Sequence, residues 1–141
     1  MGVVYRVRDQ ASGDTRALKR VSQDARSRPQ ALAALEREYQ VLSSLNHPRI
    51  IRVFEYGVDA DGPYYTMELL SGQNLRRVAP VPYRKACLYL RDIATSLALL
   101  HGRRLLHRDL SPTNVQLCQD GRCFDEGLLR GRQHIGIELE G

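Results

Sequence analysis

His107-Arg108-Asp109-Leu110-Ser111-Pro112-Thr113-Asn114 is the stretch on which the reading of this chain turns. It sets a carboxylate, Asp109, and a carboxamide, Asn114, five residues apart in a loop behind a helical segment. That spacing suits a site where a hydroxyl is aligned and a magnesium ion is held beside a triphosphate. Such a site needs an acceptor for the hydroxyl's proton. It also needs a neutral oxygen ligand that completes the Mg²⁺ shell without adding charge. Asp109 suits the first role and Asn114 the second.

Working outward, Pro82 opens a helix upstream of this loop, with Ala86, Leu90, Ile93, Ala94, Leu97 and Leu100 on one face and His101-Gly102 closing it. Before it, Ser71-Gly72-Gln73-Asn74 breaks the pattern and reads as a hinge between two lobes. Residues 50–58 and 63–69 read as two strands around the turn Asp59-Ala60-Asp61-Gly62. Pro29 starts a helix whose Leu32, Leu35, Tyr39, Leu42 and Leu45 recur at spacings of three and four. Residues 3–8 and Thr15–Val21 form an opening hairpin. Downstream of the loop come a short strand, Val115–Cys118, and the turn Gln119-Asp120-Gly121-Arg122.

Glu38 falls inside the apolar arc of the first helix, flanked by Leu35 and Leu42. A carboxylate on an inward stripe requires a cation, and Lys19 on the second strand is the available one. A surface pair between Glu38 and an arginine, with Lys19 a solvated strand lysine, is the plainer alternative. Only Lys19 and Lys85 are lysines, so the position of Lys19 carries weight.

The 141 residues suffice for one modest domain, and 43% hydrophobic content argues for a folded chain. No apolar run approaches the roughly 20 residues of a membrane span, and charge interrupts the N-terminus too early for a secretory signal. A cytoplasmic location is the expectation. The net charge of +5 is scattered, with no basic block interleaved with aromatics, which argues against nucleic acid as a partner. Cys87, Cys118 and Cys123 read as reduced core thiols, and the four histidines miss zinc-ligand spacings.

The string H-R-D-L-x-P-x-N at 107–114 resembles the catalytic loop of Hanks-type serine/threonine protein kinases, in particular bacterial members with Ser-Pro after the Asp-Leu. Ala17-Leu18-Lys19 is similar to the V-A-I-K strand of that family, and Gly2-Val3-Val4-Tyr5 to the end of its glycine-rich loop. Met67-Glu68-Leu69-Leu70 resembles its hinge, and Leu45-Asn46-His47-Pro48 its helix-to-strand junction. The resemblance implies an α+β protein-kinase-like fold. Residues 1–70 would form an N-lobe with an antiparallel five-stranded sheet and one helix. Residues 71–130 would supply the hinge, the first C-lobe helix, the catalytic loop and a short hairpin, and 131–141 a divergent tail. It implies ATP and Mg²⁺ as ligands and a protein hydroxyl as acceptor. Asp109, Lys19 and Glu38 would be catalytic. Gly2, Val4, Ala17, Lys19, Met67, Glu68 and Leu70 would surround ATP, and Asn114 with Asp125 would hold the metal.

The sequence departs from that pattern. Asp125-Glu126-Gly127 stands where the family carries Asp-Phe-Gly, and the segment before it is about two residues short. The first two glycines of the phosphate loop are absent, as are the A-P-E segment and the peptide-binding helices. Impaired phosphoryl transfer is therefore expected. A non-catalytic pseudokinase or interaction module is the alternative from another class, and a small-molecule phosphotransferase a third.

Overall fold

The computed structural model describes residues 2–107, 110–119, 121 and, as backbone, 123–125. Two units divide the chain: 1–45 with 52–69 form the first, and Asn46–Ile51 with Leu70–Leu129 form the second.

In the first unit, β1 (Gly2–Arg8) and β2 (Thr15–Val21) make the opening hairpin, followed by α1 (Pro29–Ser43), β3 (Val53–Asp59) and β4 (Gly62–Glu68). The β1–β2 turn is held by Asp9, whose Oδ1 accepts from the Ala11 amide at 2.9 Å, while Gly13 takes the left-handed conformation at φ 78°. Pro29 fixes the first turn of α1, where its missing N–H costs no hydrogen bond. The four strands are antiparallel in the order β1-β2-β4-β3. Among the described residues this sheet has four strands, not the five implied by the family resemblance. The described residues of the first unit supply four strand segments to this sheet. The third strand also starts later than the apolar run at 50 suggests, at Val53. Ile50 and Ile51 are buried outside any strand, in the segment that belongs to the second unit.

The second unit contains β5 (Gly72–Asn74), α2 (Leu75–Val78), α3 (Tyr83–Gly102), β6 (Val115–Cys118) and β7 (Cys123–Asp125). Residues 71–74 are therefore not a bare linker. Gly72–Asn74 pairs antiparallel with β6, and β7 completes a three-stranded sheet. The partner strand lies some forty residues downstream, so local pattern cannot reveal it. Ile93, Val115 and Leu117 form a small core, with Leu75, Tyr89 and Leu97 packed on it.

The inward face of α3 differs from the one its leucines suggest. Asp92, Ile93, Ser96 and Leu100 are buried, whereas Leu90 is 62% exposed and Ala94 is exposed. Asp92 is tolerated inside because Arg49 meets it at 3.3 Å and Arg91 at 3.1 Å. Ser96 satisfies its hydroxyl on the Ile93 carbonyl at 2.8 Å. Cys118 is buried, but Cys87 is exposed on α3, so the core reading fails for that cysteine.

α2 is only four residues long and depends on its cap. The Asn74 side chain accepts from the Arg77 amide at 3.0 Å. Asn74→Ala should cost about 1 kcal/mol in a urea titration, while Asn74→Asp should cost much less. Equal losses would show that the cap is idle.

Candidate nucleotide site

Strand pairing alone gathers several of the sequence-derived positions. Val4 lies opposite Lys19, and Gly2 opposite Val21. Lys19 in turn lies opposite Tyr65, and Ala17 opposite Met67. Because side chains alternate across a strand, Gly2, Val4, Ala17, Lys19, Tyr65 and Met67 share one face of the four-stranded sheet. Ala17, Lys19 and Met67 are buried there.

Onto this face α1 delivers Glu38. Its Oε1 accepts from Lys19 Nζ at 2.5 Å, and the pair is shielded, with 5% of the lysine side chain and 16% of the carboxylate side chain exposed. The Tyr65 hydroxyl donates to the same oxygen. Burial pushes the Glu38 carboxyl above its ordinary value, against the opposing pull of the Lys19 ammonium and then the Tyr65 hydroxyl. Burial first, and the neighbouring Glu38 charge second, drive the Tyr65 phenol well above its usual range, so it stays a donor.

Gly2 has a use here that its place in a phosphate loop does not suggest. A Cβ at Gly2 would come within 2.9 Å of Lys19 Cε. The bare backbone makes room for the lysine stem. Glu68 is tied twice to Arg52: its N–H donates to the Arg52 carbonyl at 2.9 Å, and its Oε1 accepts from the Arg52 amide at 2.9 Å. Any backbone contact from Glu68 to a ligand therefore falls to its carbonyl. Leu70 follows, at the start of the second unit.

In the second unit, Asn114 is 2% exposed, and its N–H closes a turn onto the Ser111 carbonyl at 2.9 Å. Ser111 and Thr113 share a hydroxyl–hydroxyl hydrogen bond of 2.8 Å in the same turn. The Pro112 carbonyl accepts from the Arg76 amide at 3.1 Å, which ties the loop to α2. His107 is buried. Arg108, Asp109, Glu126 and the tail at 131–141 lie outside the described residues, as does the side chain of Asp125. Among the described residues no three His, Cys, Asp or Glu side chains cluster as a metal site.

Tyr65 is the residue that sequence reasoning missed. On a strand of mixed aromatics it reads as core. The available signal was its register: two residues before Met67, it must share a face with Lys19 across the β2–β4 pairing. The described residues fit a nucleotide on this face: a buried, carboxylate-held cation stands beside the small Ala17 and the side-chain-free Gly2.

Residues 1–128 match the family described as Protein kinase domain. Serine/threonine-protein kinase pkn2 of Myxococcus xanthus is 30% identical over 125 residues, which cover 86% of this chain and 15% of that protein. A "Probable serine/threonine-protein kinase" of Streptomyces coelicolor is 31% identical over 150 aligned residues, covering 99% of this chain and 22% of that one. The chain thus spans less than a quarter of the length of either relative. With a match running over nearly all its residues, this chain belongs to the protein kinase domain family.

Proposed function

We propose that this chain is the ATP-binding part and catalytic loop of a serine/threonine protein kinase domain, with phosphoryl transfer to protein hydroxyls impaired in the chain itself. The observation that carries this reading is the Lys19–Glu38 pair, a buried ammonium held by a helix carboxylate on the face that also bears Ala17 and Met67. In this reading residues 1–70 take the nucleotide and 71–130 bring the catalytic loop. Lys19 holds the α- and β-phosphates as a compact charge, and Glu38 keeps it there. Gly2 and Val4 lie toward the phosphates, and Ala17, Met67, the Glu68 carbonyl and Leu70 toward the adenine. Asp109 orients the acceptor hydroxyl. Asn114 and Asp125 are the residues to hold Mg²⁺, which supplies charge neutralisation on the phosphates. The protein acts where it meets ATP and a protein substrate in the cytoplasm.

A non-catalytic nucleotide-binding or interaction module is favoured by one specific feature, Glu126 in the position of the family's phenylalanine. A carboxylate in an apolar slot is costly, at about 2 kcal/mol or more if unpaired.

Thermal unfolding of the 141-residue chain with Mg·ATP tests the nucleotide reading. A hundredfold excess over Kd should add about 2.7 kcal/mol of stability. Melting should rise by several degrees, and the rise should vanish in Lys19→Ala. Asn114→Ala should weaken the response to Mg²⁺ more than the response to free ATP. No shift at millimolar Mg·ATP would remove the proposal. Transfer of labelled phosphate to a protein acceptor, abolished by Asp109→Asn, separates a working enzyme from a binding module.

A further inference from the structure

One oxygen in the first unit carries two donors. Glu38 Oε1 accepts from Lys19 Nζ at 2.5 Å and from the hydroxyl of Tyr65. Tyr65 is 0% exposed, sits opposite Lys19 in the β2–β4 pairing, and lies with its ring centroid 5.8 Å from that of Tyr39 on α1. The carboxylate is therefore tied to two different strands, β2 through the lysine and β4 through the tyrosine. A phenol shut away from water needs an acceptor, and packing alone would be served equally well by phenylalanine.

We propose that Tyr65 is a positioning residue whose hydroxyl fixes the Glu38 carboxylate on Lys19, so that the ion pair stands formed before any nucleotide arrives. Swinging Glu38 outward breaks the ion pair and also strands the Tyr65 hydroxyl in a site without solvent. The second loss makes the outward position of α1 unfavourable even when no ligand occupies the face. Tyr65 thus biases this unit toward a permanently assembled phosphate-binding cation. The functional consequence rests on the nucleotide reading above, whereas the positioning itself does not.

The chain offers a direct readout because it has only two lysines, Lys19 and the exposed Lys85. Limited acylation of the full chain with acetic anhydride, mapped by peptide mass, gives the reactivity of Lys19 against Lys85 as internal standard. In the wild type, without nucleotide, Lys19 should react far more slowly than Lys85. Tyr65→Phe should raise the Lys19 to Lys85 ratio about tenfold, the weight of a hydrogen bond to a charged group. Tyr65→Met, which removes the hydroxyl and leaves a smaller, flexible apolar side chain, should do the same. Glu38→Gln should raise the ratio on its own, and adding Tyr65→Phe to it should raise it no further, because the tyrosine acts through the carboxylate.

An unchanged ratio in a folded Tyr65 variant overturns the proposal. So does an equal rise on top of Glu38→Gln, which would mark Tyr65 as packing alone. Unfolding of both Tyr65 variants while Glu38→Gln folds overturns it as well. The nucleotide reading is judged separately: if the wild type fails to bind Mg·ATP, that reading falls while the acylation ratio still decides the role of Tyr65.

Discussion

Lys19→Ala should lower the stability of the chain by about 3–5 kcal/mol, because removing one partner of a buried ion pair leaves the other charge uncompensated. Glu38 would keep the Tyr65 hydroxyl but lose the ammonium that opposes its burial. Its carboxyl would then rise further above its value in the unfolded chain. A native state with such a raised acid binds a proton that the unfolded state has released, so its stability falls as pH rises through that interval. The deficit of Lys19→Ala relative to wild type should therefore be larger near about pH 8 than near about pH 5. Lys19→Met combined with Glu38→Leu should recover most of the loss, since an apolar pair of similar volume removes both charges together. Urea midpoints at the two pH values check this. Equal deficits at both would mean that Glu38 is not the stranded group.

Gly72→Ala should be the most damaging single-methyl change in the second unit, at about 3 kcal/mol. Gly72 has φ 140°, a region L-residues rarely enter, and a Cβ there would fall on the Leu117 carbonyl oxygen. Backbone cannot yield as a side-chain tip can, so the β5–β6 pairing has to open. Gly62 is the internal control. It also has positive φ, at 101°, but a Cβ there would meet nothing within 4 Å. Gly62→Ala should cost only the backbone strain, at the lower end of about 1–3 kcal/mol. Matching losses in the two variants would show that strain alone, and not the close approach of β6, governs Gly72.

What the sequence discloses follows from how local each cause is. α1 is readable because Pro29 marks its start and Leu35 and Leu42 bracket Glu38 within two turns. The opening hairpin is readable because Asp9 and Gly13 announce their own turn. The inward face of α3 is not. Its burial of Asp92 depends on Arg49, more than forty residues earlier, and leucines such as Leu90 mislead any count of apolar positions. The strand at Gly72–Asn74 is equally hidden, because its partner Val115–Cys118 lies beyond a whole helix. The Lys19–Glu38 meeting can be inferred from one charge lodged in an apolar stripe, but the part of Tyr65 cannot, since an aromatic on a strand gives no hint of where its hydroxyl points. Asp109 is conspicuous in sequence and lies outside the described residues.

The path of the chain has a practical consequence. Residues Asn46–Ile51 group with the second unit although the residues on either side, up to Leu45 and from Arg52, group with the first. Ile50 and Ile51 are each 3% exposed within that excursion. No single scission therefore liberates either half as one uninterrupted fragment. Expressing the stretch that ends at Leu69 by itself would separate the six-residue loop with its two buried isoleucines from the unit it groups with, so split-protein reporters or lobe exchanges built on this chain need that loop grafted along with the downstream piece.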